Sequence, residues 1–314
     1  MLVAAAWGCD DPARRTDAHT PENSGAIVVY NAAALARPMR AVLDSFQART
    51  GVRYEQETAA SLELARKVIE LGGEPDVVAL ADPDLFPKLL EPRFSTWHAL
   101  FARNRIVLAY TSRSRGAHEI TATNWFRVLS RPGVEVGRAD PHTDPSGYRT
   151  LLVWQLAERY YREPDLSTRM LVASPARNMR PREADQVALL EVGEYDYIWT
   201  YQNLAENAGI RYVKLPDAVD LGEPADSATY ALATVRVLGR APGDSLTLQG
   251  RPILFAVTVP TRARRRASAE RFVAFLLSAD GRRILRRQHF DALDAPVVVG
   301  SGAPSLAVQA SEQR

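Results

Sequence analysis

AIVVYNAAALARPMRAVLDSFQARTGVRYEQETAASLELARKVIELGGEPDVVALAD, residues 26–82, contains the pattern that decides the fold. It opens on a short apolar, β-branched run, AIVVYN (26–31), that stops at a loop of small residues and reads as a buried strand. Met39, Val42, Leu43 and Phe46 follow at i, i+3, i+4 and i+7, the stripe of an amphipathic helix, and Gly51 ends it. VRYEQET (52–58) is a second strand. A second helix starts at Ser61, with Leu64, Ala65, Val68 and Leu71 on one face, and DVVALAD (76–82) is a third strand. Strands alternating with helices across short connections predict an α/β fold, a parallel sheet covered by helices. In such sheets ligands bind at the carboxyl ends of the strands, so the loops after 26–31, 52–58 and 76–82 are the first candidates for a site.

The pattern continues outward. RIVLAYT (105–111) reads as a fourth strand of this unit, and a second α/β unit begins after Thr111. There VEVGRAD (134–140), YDYIWTY (195–201) and RYVKLP (211–216) are expected strands, and DPSGYRTLLVWQLAERYY (144–161) leads into a long helix. YALATVRV (230–237) and the wholly apolar PILFAVTVP (252–260) are further strands, and a last helix near 266–279 buries Phe272, Phe275 and Leu276. Before Ala26, DDPARRTDAHTPENSG (10–25) has no large apolar residue and reads as a flexible tether.

Composition narrows the function. The 314 residues suffice for two α/β domains, and 46% hydrophobic with 24% charged residues is a globular composition. The net charge of +2 gives no argument for nucleic acid as a partner. Lys67, Lys88 and Lys214 are the only lysines, so the basic residues are almost all arginine. The single cysteine, Cys9, follows the apolar run MLVAAAWG and reads as the lipidated residue of a lipoprotein signal, with an ordinary N-terminus as the alternative. No later stretch reaches the roughly 20 apolar residues of a membrane helix. The five histidines have no metal-ligand spacing, and there is no nucleophile elbow, Walker A loop or dinucleotide fingerprint. These absences favour binding over catalysis.

Two loops have chemistry suited to an anion. In ETAAS (57–61) the small Ala60 lets backbone N–H groups approach a ligand, and Ser61 adds a hydroxyl at a helix start. The alternative is that Ser61 only caps the helix. In DPSGYR (144–149), Asp144 before Pro145 is a good helix cap; the functional reading sets Asp144 and the N–H groups of Ser146 and Gly147 at a ligand. A carboxylate facing a dianion is repulsive unless it shares a proton or bonds to a Lewis-acidic centre. Molybdenum and tungsten can accept such a bond; sulfur in sulfate cannot. Trp125, Trp154 and Trp199 lie in apolar segments and are expected in the core, and the Arg-rich stretches at 262–266 and 282–287 on solvated faces.

ETAASLELARKVIELGGEPDVVALAD (57–82), FARNRIVLAYT (101–111), NWFRVLSRPGVEVGRADPHTDPSGYRTLLV (124–153) and MRPREADQVALLEVGEYDYIWTY (179–201), continued by IRYVKLPDAVDLG (210–222) and PILFAVTVP (252–260), together resemble the molybdate/tungstate-binding proteins of ABC importers, in their archaeal-type branch. The resemblance spans about Ala26 to Gly300. It implies a two-lobed periplasmic-binding-protein fold, each lobe a mainly parallel sheet flanked by helices, with the ligand in the cleft between them. Lobe I would be 26–111 plus about 231–300, and lobe II 112–230. Residues 1–25 would form the signal remnant and tether, and 301–314 a C-terminal tail. Implied partners are an ABC permease and its ATPase; no cofactor is implied, and a monomer held to the membrane only by its lipid at Cys9 is expected, outside the cytoplasmic membrane.

The resemblance also implies the ligand set. Ser61 falls on a ligand serine and Asp144 on a ligand carboxylate, a possible direct ligand to molybdenum or tungsten. Ala33 and Ala34 occupy the first loop, Ala34 where a serine is expected. Ser146 replaces a common cysteine, with Gly147 beside it. Trp199-Thr200-Tyr201 places Thr200 where a second carboxylate, a glutamate, is expected, with Tyr201 adjacent. Loss of that carboxylate leads to the expectation of a shifted site: molybdate or tungstate held mainly by N–H and hydroxyl groups, or a different oxyanion. A sensor of phosphate, sulfate or an organic anion is the alternative, and an enzyme on the same fold the more distant one.

Overall fold

The computed structural model describes residues 25–239 and 243–305. Cys9 and the rest of the expected tether lie outside the described residues, as does most of the 301–314 tail. Thirteen strands are found among the described residues. In chain order they are β1 (Ile27–Ala32), β2 (Tyr54–Ala59), β3 (Val77–Leu80), β4 (Trp97–Asn104), β5 (Ile106–Tyr110), β6 (Val136–Ala139) and β7 (Met179–Arg180). They continue with β8 (Tyr197–Tyr201), β9 (Arg211–Lys214), β10 (Thr234–Leu238), β11 (Ser245–Gln249), β12 (Ile253–Thr258) and β13 (Asp291–Gly300). They form a six-stranded sheet ordered β13-β4-β12-β3-β1-β2, a five-stranded sheet ordered β7-β6-β8-β5-β9, and a separate β10-β11 ribbon. The two large sheets, each with its helices, make two lobes.

Local chemistry explains the elements. β1 and β3 are buried on both faces, hence their continuous apolar runs, whereas β2 is an edge strand and carries the polar YEQETA. The helix Ala36–Thr50 buries Met39, Val42, Leu43 and Phe46 and ends at Gly51, whose φ of 73° and N–H bond to the Gln47 carbonyl (2.8 Å) form a left-handed stop. Phe46 packs edge-on to Phe272 of the helix Arg266–Leu277, with ring centres 5.4 Å apart, so the first helix and the last part of the chain share one core. In the second lobe Trp199 meets Trp125 and Trp154 with ring centres at 5.1 and 6.0 Å, the core role expected of the three tryptophans.

Sheet membership differs from the expectation in two places. The strand expected to complete the first lobe, β5, lies instead in the second sheet, paired antiparallel with β8 and β9. The chain therefore crosses at Arg105, the single residue between β4 and β5. Asn104 braces this crossing: its Oδ1 accepts the Arg105 N–H (2.9 Å) and its Nδ2 donates to Asn203 Oδ1 (2.7 Å). The ribbon β10-β11 belongs to neither large sheet and leans on the second lobe, where Gln155 bonds both the N–H and the carbonyl of Thr234. The chain rejoins the first sheet at Ile253, whose N–H donates to the Leu221 carbonyl (2.8 Å).

These crossings explain why the sheets are mixed. β1, β2 and β3 run parallel and end at the junction between the lobes, as do β6, β7 and β8 in the second lobe. β12 and β5 start at the junction, where Ile253 pairs with Asn104 and Ile106 with Tyr201, so each must run antiparallel to its neighbours. The carboxyl ends of six parallel strands thus converge on one place.

Candidate functional site

Four of the loops at that convergence carry the residues singled out from sequence. The first lobe brings Ala33 and Ala34 after β1 and Ala60 and Ser61 after β2; the second brings Asp144, Ser146 and Gly147 after β6 and Thr200 and Tyr201 at the end of β8. Ser61 is 1% exposed, Asp144 2%, and Ser146, Thr200 and Tyr201 0%; Ala33, Ala34 and Ala60 are equally buried. The lobes touch here. The Leu62 N–H donates to the Thr143 carbonyl (3.2 Å), and Asn203 Nδ2 donates to the Ala34 carbonyl (3.1 Å). Arg66 Nη1 adds a bond to the His142 carbonyl (3.2 Å).

Each side chain does something specific. Ser61 is the first residue of the helix Ser61–Glu70; the cap position belongs to Ala60, which makes no side-chain cap bond. The Ser61 hydroxyl instead accepts the Ala81 N–H (3.1 Å), which leaves its own proton to donate. Asp144 caps the helix Pro145–Tyr161 through Oδ1, which accepts the Ser146 N–H (2.8 Å). The Gly147 N–H donates to the Asp144 carbonyl (3.0 Å). The expectation that the Ser146 and Gly147 amides face a ligand is therefore corrected: the cap and the first turn already use both. Ser146 offers its hydroxyl, whose Oγ has no hydrogen-bond partner although buried. Thr200 Oγ1 is buried without a partner as well. Tyr201 Oη is engaged, accepting from Arg149 Nη1 (2.7 Å).

Gly147 has a steric task. A Cβ there would lie 2.6 Å from the Ala139 carbonyl oxygen and from the Asp140 carbonyl carbon, both backbone atoms that cannot rotate away. Gly147→Ala is expected to force the helix off the end of β6 and destabilise the chain by about 1–3 kcal/mol, measured by urea denaturation. An unchanged midpoint would show that the helix start can shift freely.

Three side chains absent from the sequence expectation complete the site. Glu183, 1% exposed at the head of the helix Ala184–Val192, lies beside Asp144, and the two carboxyls feel each other. Glu183 Oε2 has no partner. Arg149 is buried between the lobes, with Nη1 on the Ala81 carbonyl (2.6 Å) and the Tyr201 hydroxyl and with Nη2 3.6 Å from Asp82. Asp82 also accepts the Tyr148 hydroxyl. Asp82, Tyr148 and Arg149 line a neighbouring cavity of about 500 Å³ together with Asp84, His98 and Arg251.

The electrostatics follow from burial. Desolvation raises the Asp144 carboxyl above the usual carboxylate range, against the lowering effect of its hydrogen bonds. Desolvation, and then the Asp144 charge, raise Glu183 well above that range. A carboxyl whose pKa is raised by folding contributes stability below its unfolded pKa of about 4 and loses it as pH climbs through the folded value. The ligand-free chain is therefore expected to weaken as pH rises above the usual carboxylate range, and Glu183→Gln to flatten that decline. Denaturation midpoints of both proteins at pH 5 and pH 8 check this; parallel curves would contradict it.

The site thus has the helix starts at Ser61, Asp144 and Glu183 converging from both lobes, each with a partial positive charge. It adds a permanent cation at Arg149 and unpartnered hydroxyls at Ser146 and Thr200.

Residues 27–291 match the family model of the bacterial extracellular solute-binding proteins. The chain belongs to that family. It is 37% identical over 274 residues to a protein of Petrotoga mobilis named only as a solute-binding protein, an alignment covering 87% of this chain and 85% of that one. It is 30% identical over 328 residues to the molybdate/tungstate-binding protein WtpA of Thermococcus kodakarensis, covering 96% and 91%. Among solved structures, the sulfate-binding protein SubI of Mycobacterium tuberculosis superposes with a TM-score of 0.61 at 16% identity, covering 90% and 89% of the two chains, which establishes the shared two-lobed fold. This solute-binding protein has no helix among its described residues long and apolar enough to cross a membrane.

Proposed function

We propose that this solute-binding protein captures molybdate or tungstate between its lobes, without chemical change, and presents the closed form to an ABC permease and its ATPase. The observation that carries the reading is Asp144: a carboxylate buried between the lobes, beside donors from Ser61 and Ser146, on a chain that resembles a molybdate/tungstate-binding protein along nearly its whole length. A lone anion-binding site has no use for a buried carboxylate, which repels a dianion. Molybdenum and tungsten, whose coordination can expand, turn that repulsion into a bond. Ligand contacts in both lobes favour the closed state by differential affinity. In this reading the chain acts as a monomer held outside the cytoplasmic membrane by a lipid on Cys9.

Isothermal titration with molybdate, tungstate, sulfate and phosphate tests the proposal. Both metal oxyanions are expected to bind at least about 100-fold tighter than sulfate. Ser61→Ala is expected to weaken them by about 1.5–3 kcal/mol, one hydrogen bond to a charged group. Preferential binding of phosphate would support a second reading, a site for protonated oxyanions, in which the Asp144–Glu183 pair accepts the ligand's proton. Absence of heat with all four would refute the oxyanion assignment.

A further inference from the structure

We infer that the outer face of the first lobe, where the helices Ala36–Thr50, Arg266–Leu277 and Ala279–Arg287 pack together, binds the headgroups of anionic phospholipids. The inference goes beyond capture of the solute. It rests on the tethered reading above only for where the bilayer lies.

Charge is the first observation. Across residues 262–287 nine arginines stand against two acids, Glu270 and Asp280, a net charge of +7 in a chain whose total is +2. The helix Ala36–Thr50 adds Arg37, Arg40 and Arg49 against Asp44, a further +2. The rest of the chain therefore carries −7. Preference for arginine over lysine runs through the whole chain, but composition alone does not gather charge on one side.

The fold makes one surface of these residues. Phe46 of the first helix packs against Phe272 and Phe275 of the second, with ring centres 5.4 and 5.7 Å apart, and Arg49 pairs with Asp280 at the start of the third (2.6 Å). The third helix buries Ile284 and Leu285, which leaves Arg283, Arg286 and Arg287 outward and exposed. Acids take up part of the charge: Asp280 pairs with Arg283 as well as Arg49, Asp294 with Arg286, Glu74 with Arg264 and Asp76 with Arg265. Arg262, Arg271 and Arg287 are exposed and have no ion pair among the described residues. Like charges crowded on one face repel each other, and an anionic surface relieves that repulsion.

Position names the partner. The described chain begins at Gly25, whose backbone lies against the Arg265 guanidinium: a Cβ there would be 2.0 Å from Nη2. The first described residue of the chain that leads on from Cys9 thus sits on the basic face itself. A bilayer that holds a lipid on Cys9 lies on this side of the fold. Each arginine close to an anionic bilayer contributes about 1 kcal/mol, and the attraction fades within a Debye length of roughly 10 Å, so a face kept near the surface by its tether benefits most.

The test is sedimentation of the full chain carrying Cys9→Ser with vesicles of phosphatidylcholine alone and of phosphatidylcholine with about one third phosphatidylglycerol. With the lipid removed, a failure is one of the face and not of the anchor. The expected result is association at least about tenfold tighter with the phosphatidylglycerol vesicles, weakened as salt is raised. Arg271→Glu combined with Arg287→Glu is expected to cost at least about tenfold of that association. The same change of charge at Arg159 and Arg162, exposed on the second lobe, is expected to alter it by less than about twofold. Equal association with both vesicles, association that salt does not weaken, or an equal loss in the two paired variants overturns the inference. Thermal melting checks the fold of each variant; should either fail to melt cooperatively, the vesicle and salt comparisons of the unsubstituted face decide alone.

Discussion

Asp144→Ala is expected to lower molybdate and tungstate affinity by at least about 100-fold, the largest effect of any single change in the site. Two roles of Asp144 must be separated to read this result. Its Oδ1 caps the helix Pro145–Tyr161 by accepting the Ser146 N–H, and loss of such a cap costs about 1 kcal/mol of stability. The same carboxyl is also buried against Glu183, and removing it relieves that conflict. The two effects oppose each other, so the melting temperature should move little. Asp144→Asn keeps a capping oxygen and loses the negative charge. If the carboxylate bonds to the ligand, Asn and Ala lose binding alike and differ only in the small cap contribution. If Asn binds normally, Asp144 is a cap alone and the metal-ligand role falls.

Arg149→Met produces the largest expected loss of stability, about 3–5 kcal/mol, together with loss of binding. The guanidinium joins the lobes: it holds the Ala81 carbonyl of the first and the Tyr201 hydroxyl of the second, and its charge compensates Asp82. Removing it leaves Asp82 buried with neutral donors, the Tyr148 hydroxyl and the Asp84 N–H (2.9 Å), and no cation against it. An uncompensated buried charge, more than the lost hydrogen bonds, sets the size of the effect. The check is a double-mutant cycle in urea: Asp82→Asn in the Arg149→Met background should restore part of the lost stability, since it removes the orphaned charge. It should not restore anion binding, which needs the cation. Additive losses at the two positions would contradict this account of the pair.

The helix Pro145–Tyr161 shows how far the sequence could be read and where reading stopped. Asp144 before Pro145 announces a helix start after a strand, and strand ends are where α/β proteins bind ligands, so that end of the site was legible. Arg149 was not singled out, because a charged residue in an amphipathic helix is ordinarily solvated. The available signal was its phase: Arg149, Leu152, Val153 and Leu156 recur at i, i+3, i+4 and i+7, and all are buried. Glu183 was hidden in the same way, since RPRE reads as a solvated charged turn, although Glu183, Gln186 and Leu190 lie on one buried stripe. Of the fold, the strands β1, β2 and β3 with their helices follow from period and punctuation. The transfer of β5 to the other sheet has no such sign, because a single residue, Arg105, separates it from β4 and nothing in NRIVLAYT states which sheet will pair with it. Hydrophobic period reports burial; sheet membership depends on partners far along the chain.

The most direct test of the central claim is the position of the metal itself. Tungsten scatters anomalously, so a crystal of the chain grown with tungstate locates the bound atom without reference to any expected contact. The account predicts one dominant tungsten peak between the lobes, within bonding reach of the Asp144 carboxylate and flanked by the Ser61 and Ser146 hydroxyls. A dominant peak elsewhere, such as the cavity of about 500 Å³ beside Asp84, His98 and Arg251, or no ordered tungsten at the Asp144 junction, would contradict it.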